Sequence, residues 1–204
     1  ISLSKYYIAS TFFKTLLSPF LKLANIVLSK NWLGKSDVKI HEITSFNESI
    51  NEIVSQFLDR IQFSALRNDK ILNWRFTKFY HRNYKIFITK ENEKITGYAI
   101  TRKMKMKEFI SLALVDILFL PEDKKTAKAL LGAVHLQALE EKVDLASIII
   151  NPSSSIFKYL VRFGFFKTPE SFTVVVNEPK RKDFEFNEKN FCNWHITWFD
   201  HDFV

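Results

Sequence analysis

The chain has 204 residues, of which 47% are hydrophobic and 25% charged, a composition that excludes a disordered or fibrous protein and predicts one large globular domain or a domain with an appendage. Its formal net charge of +8 favours anionic partners such as a phosphorylated cofactor, nucleic acid or an anionic lipid surface, although a solvated lysine-rich surface gives the same balance. The one cysteine, Cys192, excludes an internal disulfide and predicts a reducing, cytoplasmic setting.

Residues 6–28 form a strongly apolar stretch near the start of the chain. Its large apolar residues recur at helical spacing and predict an amphipathic helix that bends near Pro19. Two lysines interrupt the stretch, so it does not have the uncharged length of a membrane span. The helix either packs on the domain or a neighbour, or makes a peripheral contact with a membrane surface. We therefore predict a helical extension and linker over residues 1–37 and a main domain over residues 38–204.

The first half of the main domain has a strand, two helices and three further strands. Alternating apolar and polar residues at 38–45 predict the first strand, and Asn47 or Ser49 is a suitable N-cap for the helix that follows. The third of the later strands contains a long apolar run, which is typical of a strand buried on both faces. The predicted bounds are 47–60 and 69–80 for the helices, and 84–89, 94–103 and 108–120 for the strands.

The second half alternates helices and strands. A helix is predicted from Pro121 to residue 142, and Gly164 ends a later helix over residues 154–163. Strands are predicted at 146–150, 165–167, 172–177 and 194–199, with a charged loop at 178–189. A strand–helix–strand unit implies a right-handed parallel crossover, whereas the preceding hairpin implies antiparallel pairing. The prediction is an α/β fold whose mixed sheet has helices on both faces.

This element order resembles the GNAT (GCN5-related N-acetyltransferase) superfamily over about residues 38–177. The resemblance is carried by Leu120-Pro121 before a helix, by Asn151, and by Phe163-Gly164-Phe165. It implies that acyl-CoA lies in a gap between the fourth and fifth strands and that its pyrophosphate sits at the start of the next helix. It also implies transfer of an acyl (acetyl) group from acyl-CoA to a primary amine of a small molecule or amino sugar.

The same resemblance assigns cofactor contacts to the end of the fourth strand and to the helix start. The family loop reads (Gln/Arg)-x-x-Gly-x-(Gly/Ala), whereas this chain has Asp-Lys-Lys-Thr-Ala-Lys and no glycine. Lysine side chains could therefore supply the positive charge in place of closely approaching backbone amides. The alternative is that these lysines form the solvated face of a helix start. The residues that the resemblance places at the cofactor are Leu118, Phe119, Leu120, Lys124, Lys125, Thr126, Ala127, Lys128 and Asn151.

Two residues are candidates for the chemical step. The tyrosine that is common in the family falls at Leu160, so the adjacent Tyr159, turned by about 100° on the helix, is the remaining candidate proton donor. Asp116 lies in the apolar sequence Leu-Val-Asp-Ile-Leu, where burial is expected to raise its pKa and make it a candidate general base. The alternative for Asp116 is a structural hydrogen bond.

Trp74 and Arg75 are predicted to contact the acceptor substrate, because they lie in a basic aromatic cluster that in the family borders the acceptor site. The alternative is a helix with Trp74 in the core and its charges in water. Such clusters also serve single-stranded nucleic acid, but the chain has no recognised nucleic-acid motif and this role is not favoured. The histidines lack ligand spacing, so no metal site is predicted.

Three functional hypotheses follow from the sequence. The first is an acyltransferase, and the second is a non-catalytic GNAT-like half of a larger protein that serves acceptor binding or assembly. The third is a basic domain associated with a membrane surface or nucleic acid. The glycine-free loop and the start at Ile1 rather than Met favour the C-terminal half of a tandem-GNAT protein, with an upstream domain as its partner.

Overall fold

A computed structural model describes residues 2–5, 38–61, 63–78, 82–106, 108–168, 171–173 and 194–200. Several sequence predictions lie outside this part of the chain: the helix over residues 6–28, the charged loop at 178–189, and Cys192. The elements predicted between residues 38 and 168 lie almost entirely within the described residues, whereas only the start of the strand predicted at 172–177 does.

A five-stranded mixed sheet organises the domain. Its strands are Lys39–Ile43 (β2), Tyr84–Glu91 (β3), Lys94–Met106 (β4), Phe109–Phe119 (β5) and Leu145–Ser147 (β6). They lie side by side in chain order. The neighbours from β2 to β5 run antiparallel, whereas β5 and β6 run parallel, as the hairpin and the crossover predicted. The predicted α/β fold with a mixed sheet is thus confirmed.

Helices cover both faces of this sheet, with bounds Ile50–Leu58 (α1), Asp69–Phe76 (α2), Lys124–Glu140 (α3) and Phe157–Arg162 (α4). Side chains cap two of the helix starts. The oxygen of Asn68 accepts from the amide of Ile71, and the carboxylate of Asp123 accepts from the amide of Thr126. α4 ends as predicted at Gly164, whose φ of 88° suits a residue without Cβ.

A second, small sheet lies beside the first. Its strands are Ser2–Lys5 (β1), Ile149–Ile150 (β7) and Ser171–Thr173 (β8), with β1 between the other two and antiparallel to both. The strand predicted at 146–150 is therefore divided at Ile148: its first part stays with β5, and its second part pairs with β1. β1 itself was not predicted.

Two predicted strands are wrong. Residues 165–167 have no strand partner, and residues 194–199 form one isolated bridge, from Trp194 to Phe63, followed by a 3-10 helix over Trp198–Asp200. The hydroxyl of Thr197 accepts from the amide of Phe199, and the carboxylate of Asp200 accepts from the amide of Thr197. These local side-chain bonds satisfy backbone donors that a sheet would otherwise pair.

β5 is the most deeply buried strand of the central sheet, as its apolar run predicted. All residues from Ser111 to Phe119 are buried, because α3 covers one face of β5, and α1 and the 3-10 helix over Trp198–Asp200 cover the other. Gly97 of β4 marks the α3 face, since a Cβ at Gly97 would meet Thr126 of α3. Tyr98 and the positions in phase with it therefore point to the α1–α2 face.

Gly97→Ala should destabilise the domain by about 1–3 kcal/mol, because the new methyl group overpacks the β4–α3 contact. It would lie 2.6 Å from the carbonyl oxygen of Leu118 and 2.8 Å from the Cγ2 of Thr126. Thr126→Ser removes only the second obstacle, so the double variant should recover only part of the loss. Urea unfolding followed by tryptophan fluorescence measures the effect, with Thr126→Ser alone as the control. A Gly97→Ala variant as stable as the parent would contradict this packing.

Candidate functional site

An open strand edge is the main feature of the site. The ladder between β5 and β6 consists of three pairs and ends at Ala113 opposite Ser147. After Ile148 the chain turns away to pair with β1, so residues 114–119 of β5 have no strand partner on that side among the described residues. Backbone N–H and C=O groups at such an edge require other partners. The open edge lies between β5 and β6, the fourth and fifth strands of the sequence prediction, between which the resemblance implied a gap.

A β-bulge lies within the open half of β5. Ile100 pairs with Asp116 and Thr101 pairs with Leu114, so Val115 is the additional residue in the ladder. A bulge leaves one residue without ladder hydrogen bonds and re-aims its backbone, and bulges are frequent next to active sites. The gap therefore contains two features. One is the edge of β5 that faces away from β4, and the other is Val115, whose backbone is outside the regular ladder with β4.

The start of α3 follows β5 closely, and its first turn is already capped. Asp123 Oδ1 accepts from the amide of Thr126 at 2.9 Å, and the amide of Lys124 donates to the carbonyl of Glu122 at 3.0 Å. The carboxylate of Asp123 thus occupies the position at which the resemblance implied a pyrophosphate. An anion at this helix start meets a negative charge as well as the helix dipole.

The predicted cofactor residues of α3 separate into two groups. Thr126 and Ala127 are buried, and the hydroxyl of Thr126 donates to that of Thr96 at 2.7 Å, so their side chains hold α3 on the sheet. Lys124 and Lys125 are exposed, and Lys128 is half-buried. The lysine side chains of this loop are therefore at least partly exposed, and their role at a cofactor stays a prediction.

Tyr159 joins α4 to the end of β5. Its hydroxyl donates to the carbonyl of Pro121 at 2.7 Å, and its ring meets Phe119 edge-on with centroids 5.4 Å apart. Burial raises the pKa of Tyr159, so the phenol stays protonated at neutral pH. Tyr159 therefore lies at the predicted cofactor strand, whereas Leu160, at the position of the family tyrosine, is fully buried in the core.

Asn151 begins the turn that leads from β7 to α4. It is buried, and its Oδ1 accepts from the amide of Ser153 at 3.0 Å. This bond forms an Asx turn that directs the chain out of the small sheet. The residue thus has a local structural role at the place where the resemblance assigned a cofactor contact.

A buried ionic network surrounds Asp116 on the α1–α2 face. Arg67 Nε donates to Asp116 Oδ2 at 3.0 Å, and the hydroxyl of Tyr98 donates to the same oxygen at 2.7 Å. The hydroxyl of Thr197 donates to the other carboxylate oxygen at 2.8 Å, while Arg67 Nη2 donates to Asp200 at 2.8 Å. Arg67, Tyr98 and Asp116 have no exposed surface. Asp116 is therefore a satisfied, paired carboxylate.

The prediction that the pKa of Asp116 is raised is wrong. Burial alone would raise it, but the charge of Arg67, the neighbouring imidazole of His195 and the hydrogen bond from Tyr98 together outweigh burial and hold this pKa well below its usual range. In turn, burial and the negative charge of Asp116 raise the pKa of Tyr98. A carboxylate so weakly basic, with its oxygens already bonded, does not accept a proton from an amine near neutral pH.

His195 lies beside this network. It is fully buried, and its ring meets Phe57 edge-on at 4.9 Å. Its Nε2 is 3.5 Å from Asp116 Oδ1, a close contact without hydrogen-bond geometry, and neither ring nitrogen has a hydrogen-bond partner. Sequence reasoning missed Arg67, Tyr98, His195 and Thr197, because their significance depends on a partner distant in the chain. The apolar neighbourhood of Asp116 was the only sequence signal, since a buried carboxylate implies a cation nearby.

The two catalytic candidates lie on opposite faces of β5. Asp116 and Phe119 are three residues apart in a regular stretch, so their side chains alternate to different faces, and Tyr159 packs on Phe119. The structure therefore brings Tyr159 together with the cofactor strand and separates it from Asp116.

Trp74 and Arg75 lie at the surface of α2. Trp74 is 50% exposed, so the alternative in which it fills the core is wrong, and Leu72 and Phe76 provide the buried side of the helix. The guanidinium of Arg75 lies 5.1 Å from the ring centroid of Phe199, which is a cation–π distance. Their assignment to the acceptor stays a prediction.

Membrane-spanning helices and metal clusters are both absent from the described residues. These residues contain no helix that is both long and apolar enough to cross a membrane. They also contain no group of three or more histidine, cysteine, aspartate or glutamate side chains arranged to hold a metal ion.

Comparison with known proteins finds likeness in structure but not in sequence. No protein-family model matches the chain, and no curated protein sequence matches it. Among solved structures, a point mutant of TTHA1254 from Thermus thermophilus is 17% identical with a TM-score of 0.47, and the match covers 70% of this chain and 99% of that one. An AAC(6')-Iy structure in complex with a bisubstrate analogue is 16% identical with a TM-score of 0.48, covering 72% and 100%.

A third similar structure is a ribosomal-protein-alanine N-acetyltransferase from Brucella melitensis biovar Abortus 2308. It is 13% identical with a TM-score of 0.41, and the match covers 53% of this chain and 78% of that one. Likeness at this level concerns the path of the backbone. One fold hosts many functions, so function must be inferred from the side chains and open edges of this chain.

Asp116→Asn should lower the free energy of unfolding by about 3–5 kcal/mol at pH 7, because Arg67 loses its buried counter-charge. Asp200→Asn should lower the free energy of unfolding by a smaller amount. The Asp200 side chain is 17% exposed, and Arg67 still has Asp116 as its ion-pair partner in this variant. Urea unfolding of both variants at matched pH measures the difference.

The difference between the parent and Asp116→Asn should depend on pH. The folded-state pKa of Asp116 is lowered, so its contribution is complete above the unfolded-state pKa and is lost as the pH falls toward the folded-state value. The difference should therefore shrink progressively as the pH falls below about 5. A difference that stays constant from pH 7 to pH 3 would contradict the paired carboxylate.

Proposed function

We propose that this domain binds an acyl-CoA thioester in the gap beside β5 and transfers its acyl group to a primary amine. The observation that carries the proposal is the unpaired edge of β5 over residues 114–119, next to the start of α3. The pantetheine arm of CoA contains two amide groups, which pair with an open strand edge as another strand would. The gap suits an extended, amide-bearing ligand better than a compact one.

The bulge at Val115 supports a role for the backbone in the reaction. The amine nitrogen attacks the thioester carbonyl, so a C–N bond forms, the C–S bond breaks, and CoA leaves as a thiolate. Negative charge develops on the carbonyl oxygen, and a backbone N–H released from its ladder is a suitable donor to that oxygen. The amine loses one proton and the thiolate gains one.

We propose Tyr159 as the proton donor to the departing thiolate. Its phenol is protonated at neutral pH and lies at the end of the cofactor strand. To serve as the donor, it would exchange the carbonyl of Pro121 for the sulfur. Asp116 is not proposed as the base, because its carboxylate is paired with Arg67 and lies on the other face of the strand.

The exposed lysines of α3 supply the charge for the phosphates of CoA. Lys124→Gln with Lys125→Gln should weaken acetyl-CoA binding about tenfold or more, because two charge-assisted contacts to phosphate are lost. Calorimetry with acetyl-CoA measures the affinity, and thiol release with an amine panel measures transfer. The matched control is Lys70→Gln with Lys142→Gln, which removes the same charge from two exposed lysines elsewhere.

Calorimetry also distinguishes the acyltransferase from the main alternative, a GNAT-like module without catalysis. The Asp123 cap at the helix start favours this alternative, because its carboxylate repels phosphate. Undetectable binding of acetyl-CoA at millimolar concentration, with the parent folded, would leave the non-catalytic module as the function.

Asp123→Asn should strengthen acetyl-CoA binding several-fold, while the stability of the domain changes little. Asparagine caps a helix about as well as aspartate, so the bond to the amide of Thr126 is kept and only the negative charge is removed. Calorimetry gives the affinity and thermal unfolding gives the control. Unchanged affinity, with binding otherwise intact, would show that phosphate does not lie at this helix start.

A further inference from the structure

A half-buried arginine on the α1–α2 face, Arg102, has no counter-ion among the described residues. Arg102 of β4 lies opposite Tyr84 of β3, with its guanidinium 5.6 Å from the centroid of the tyrosine ring. Its Nε is shielded from solvent and has no hydrogen-bond partner, and the same is true of the Tyr84 hydroxyl. Within the described part of the chain, no carboxylate lies at ion-pair distance from Arg102. Two adjacent hydrogen-bonding groups thus remain unused.

Buried hydrogen-bonding groups such as the Nε–H of Arg102 and the hydroxyl of Tyr84 lower the stability of the fold unless a ligand or water forms a hydrogen bond with them. A buried donor without an acceptor costs about 1–3 kcal/mol, and more when it belongs to a charged group. Guanidinium is a fixed planar fork that matches the two oxygens of a carboxylate. The phenol beside it is a further donor to the same anion. The pair Arg102 and Tyr84 is therefore suited to bind an anionic group.

The position of Arg102 relates this pair to the proposed reaction. Arg102 is two residues from Ile100 on β4, so both point to the face that carries Asp116. Two residues along a strand span about 7 Å. The bulge at Val115 lies level with Ile100 and Thr101. An anion bound at Arg102 would thus lie about 7 Å along the strand from the level of the bulge, at which the proposed function places the thioester carbonyl.

The nearby carboxylates Asp116 and Asp200 are already engaged by another cation. Both pair with Arg67, and the three groups together carry one net negative charge. A row of aromatic rings continues from Tyr84 through Phe76 to Phe199, with centroid distances of 5.0 and 5.7 Å. The guanidinium of Arg75 lies over the far end of that row. Two of these rings, Phe76 and Phe199, are buried, so the row connects the surroundings of Arg102 to those of Arg75 through the core.

We infer that the acceptor is a primary amine that also carries a carboxylate, as an amino acid does, and that Arg102 with Tyr84 binds this carboxylate. The inference rests on the proposed function for the role of the amine, but the anion subsite exists independently of catalysis. It narrows the acceptor class, because amines without an anionic group would leave Arg102 unpaired. It also gives Tyr84 a binding role that no sequence motif indicated.

The kinetic test compares α-amino acids with the corresponding amino acid amides, which differ in the negative charge. Arg102→Gln should lower kcat/KM for the amino acids about 10- to 100-fold and change that for the amides less than about threefold. Arg102→Lys should recover part of the loss, since it restores the charge but not the fork. Tyr84→Phe should have a smaller effect in the same direction.

The control is Lys105→Gln, which removes one positive charge from the same strand at an exposed position on the other face. It should leave both substrate series unchanged. Thermal unfolding confirms that each variant is folded. Equal loss of activity toward amino acids and amides in Arg102→Gln would overturn the inference and leave the acyltransferase proposal in place.

A binding test without CoA separates the two proposals. N-acetylglycine carries a carboxylate but no reactive amine, and its binding can be followed by NMR through the Arg102 Nε–H resonance. Binding to the parent and not to Arg102→Gln supports the subsite even if no amine releases thiol from acetyl-CoA. Absence of binding to the parent overturns the subsite. Displacement by inorganic phosphate at much lower concentration than N-acetylglycine would overturn the choice of carboxylate in favour of phosphate.

Discussion

The buried ion pair between Arg67 and Asp116 is the interaction on which the α1–α2 face of the domain depends. Arg67 comes from the loop before α2, Asp116 from the middle of β5, and Asp200 and Thr197 from the C-terminal segment. Burying these charges is unfavourable unless each has its partner, so the network stabilises only the arrangement in which all three segments are in place. It thereby fixes the C-terminal segment against β5.

The same strand serves two different purposes on its two sides. Within the sheet, β5 pairs with β4 along its whole length, and Asp116 ties it to the α1–α2 face. At its other edge the ladder with β6 stops after three pairs. A strand held so firmly on one side can keep an unpaired edge on the other without collapsing onto its neighbour. The rigidity of the network therefore supports the openness of the proposed cofactor gap.

Charge is distributed differently at the two proposed binding positions. At the start of α3, exposed lysines stand beside the carboxylate of Asp123, so attraction and repulsion act on the same phosphate. On the acceptor face, the carboxylates are paired with Arg67, and Arg102 remains without a counter-ion among the described residues. We therefore expect the acceptor site to discriminate by charge more sharply than the cofactor site.

The sequence by itself determined the order and type of the elements of the central sheet and its helices, because periodicity and apolar runs report directly on local burial. The doubly buried β5 and the glycine-ended α4 are examples. Only the tertiary structure decided the role of Asp116. Its partners Tyr98, Arg67 and Thr197 are 18, 49 and 81 residues away in the chain, and their charge and hydrogen bonds reverse the pKa shift that burial alone would cause. A local pattern shows that a carboxylate is buried, but its protonation depends on which groups the fold places beside it.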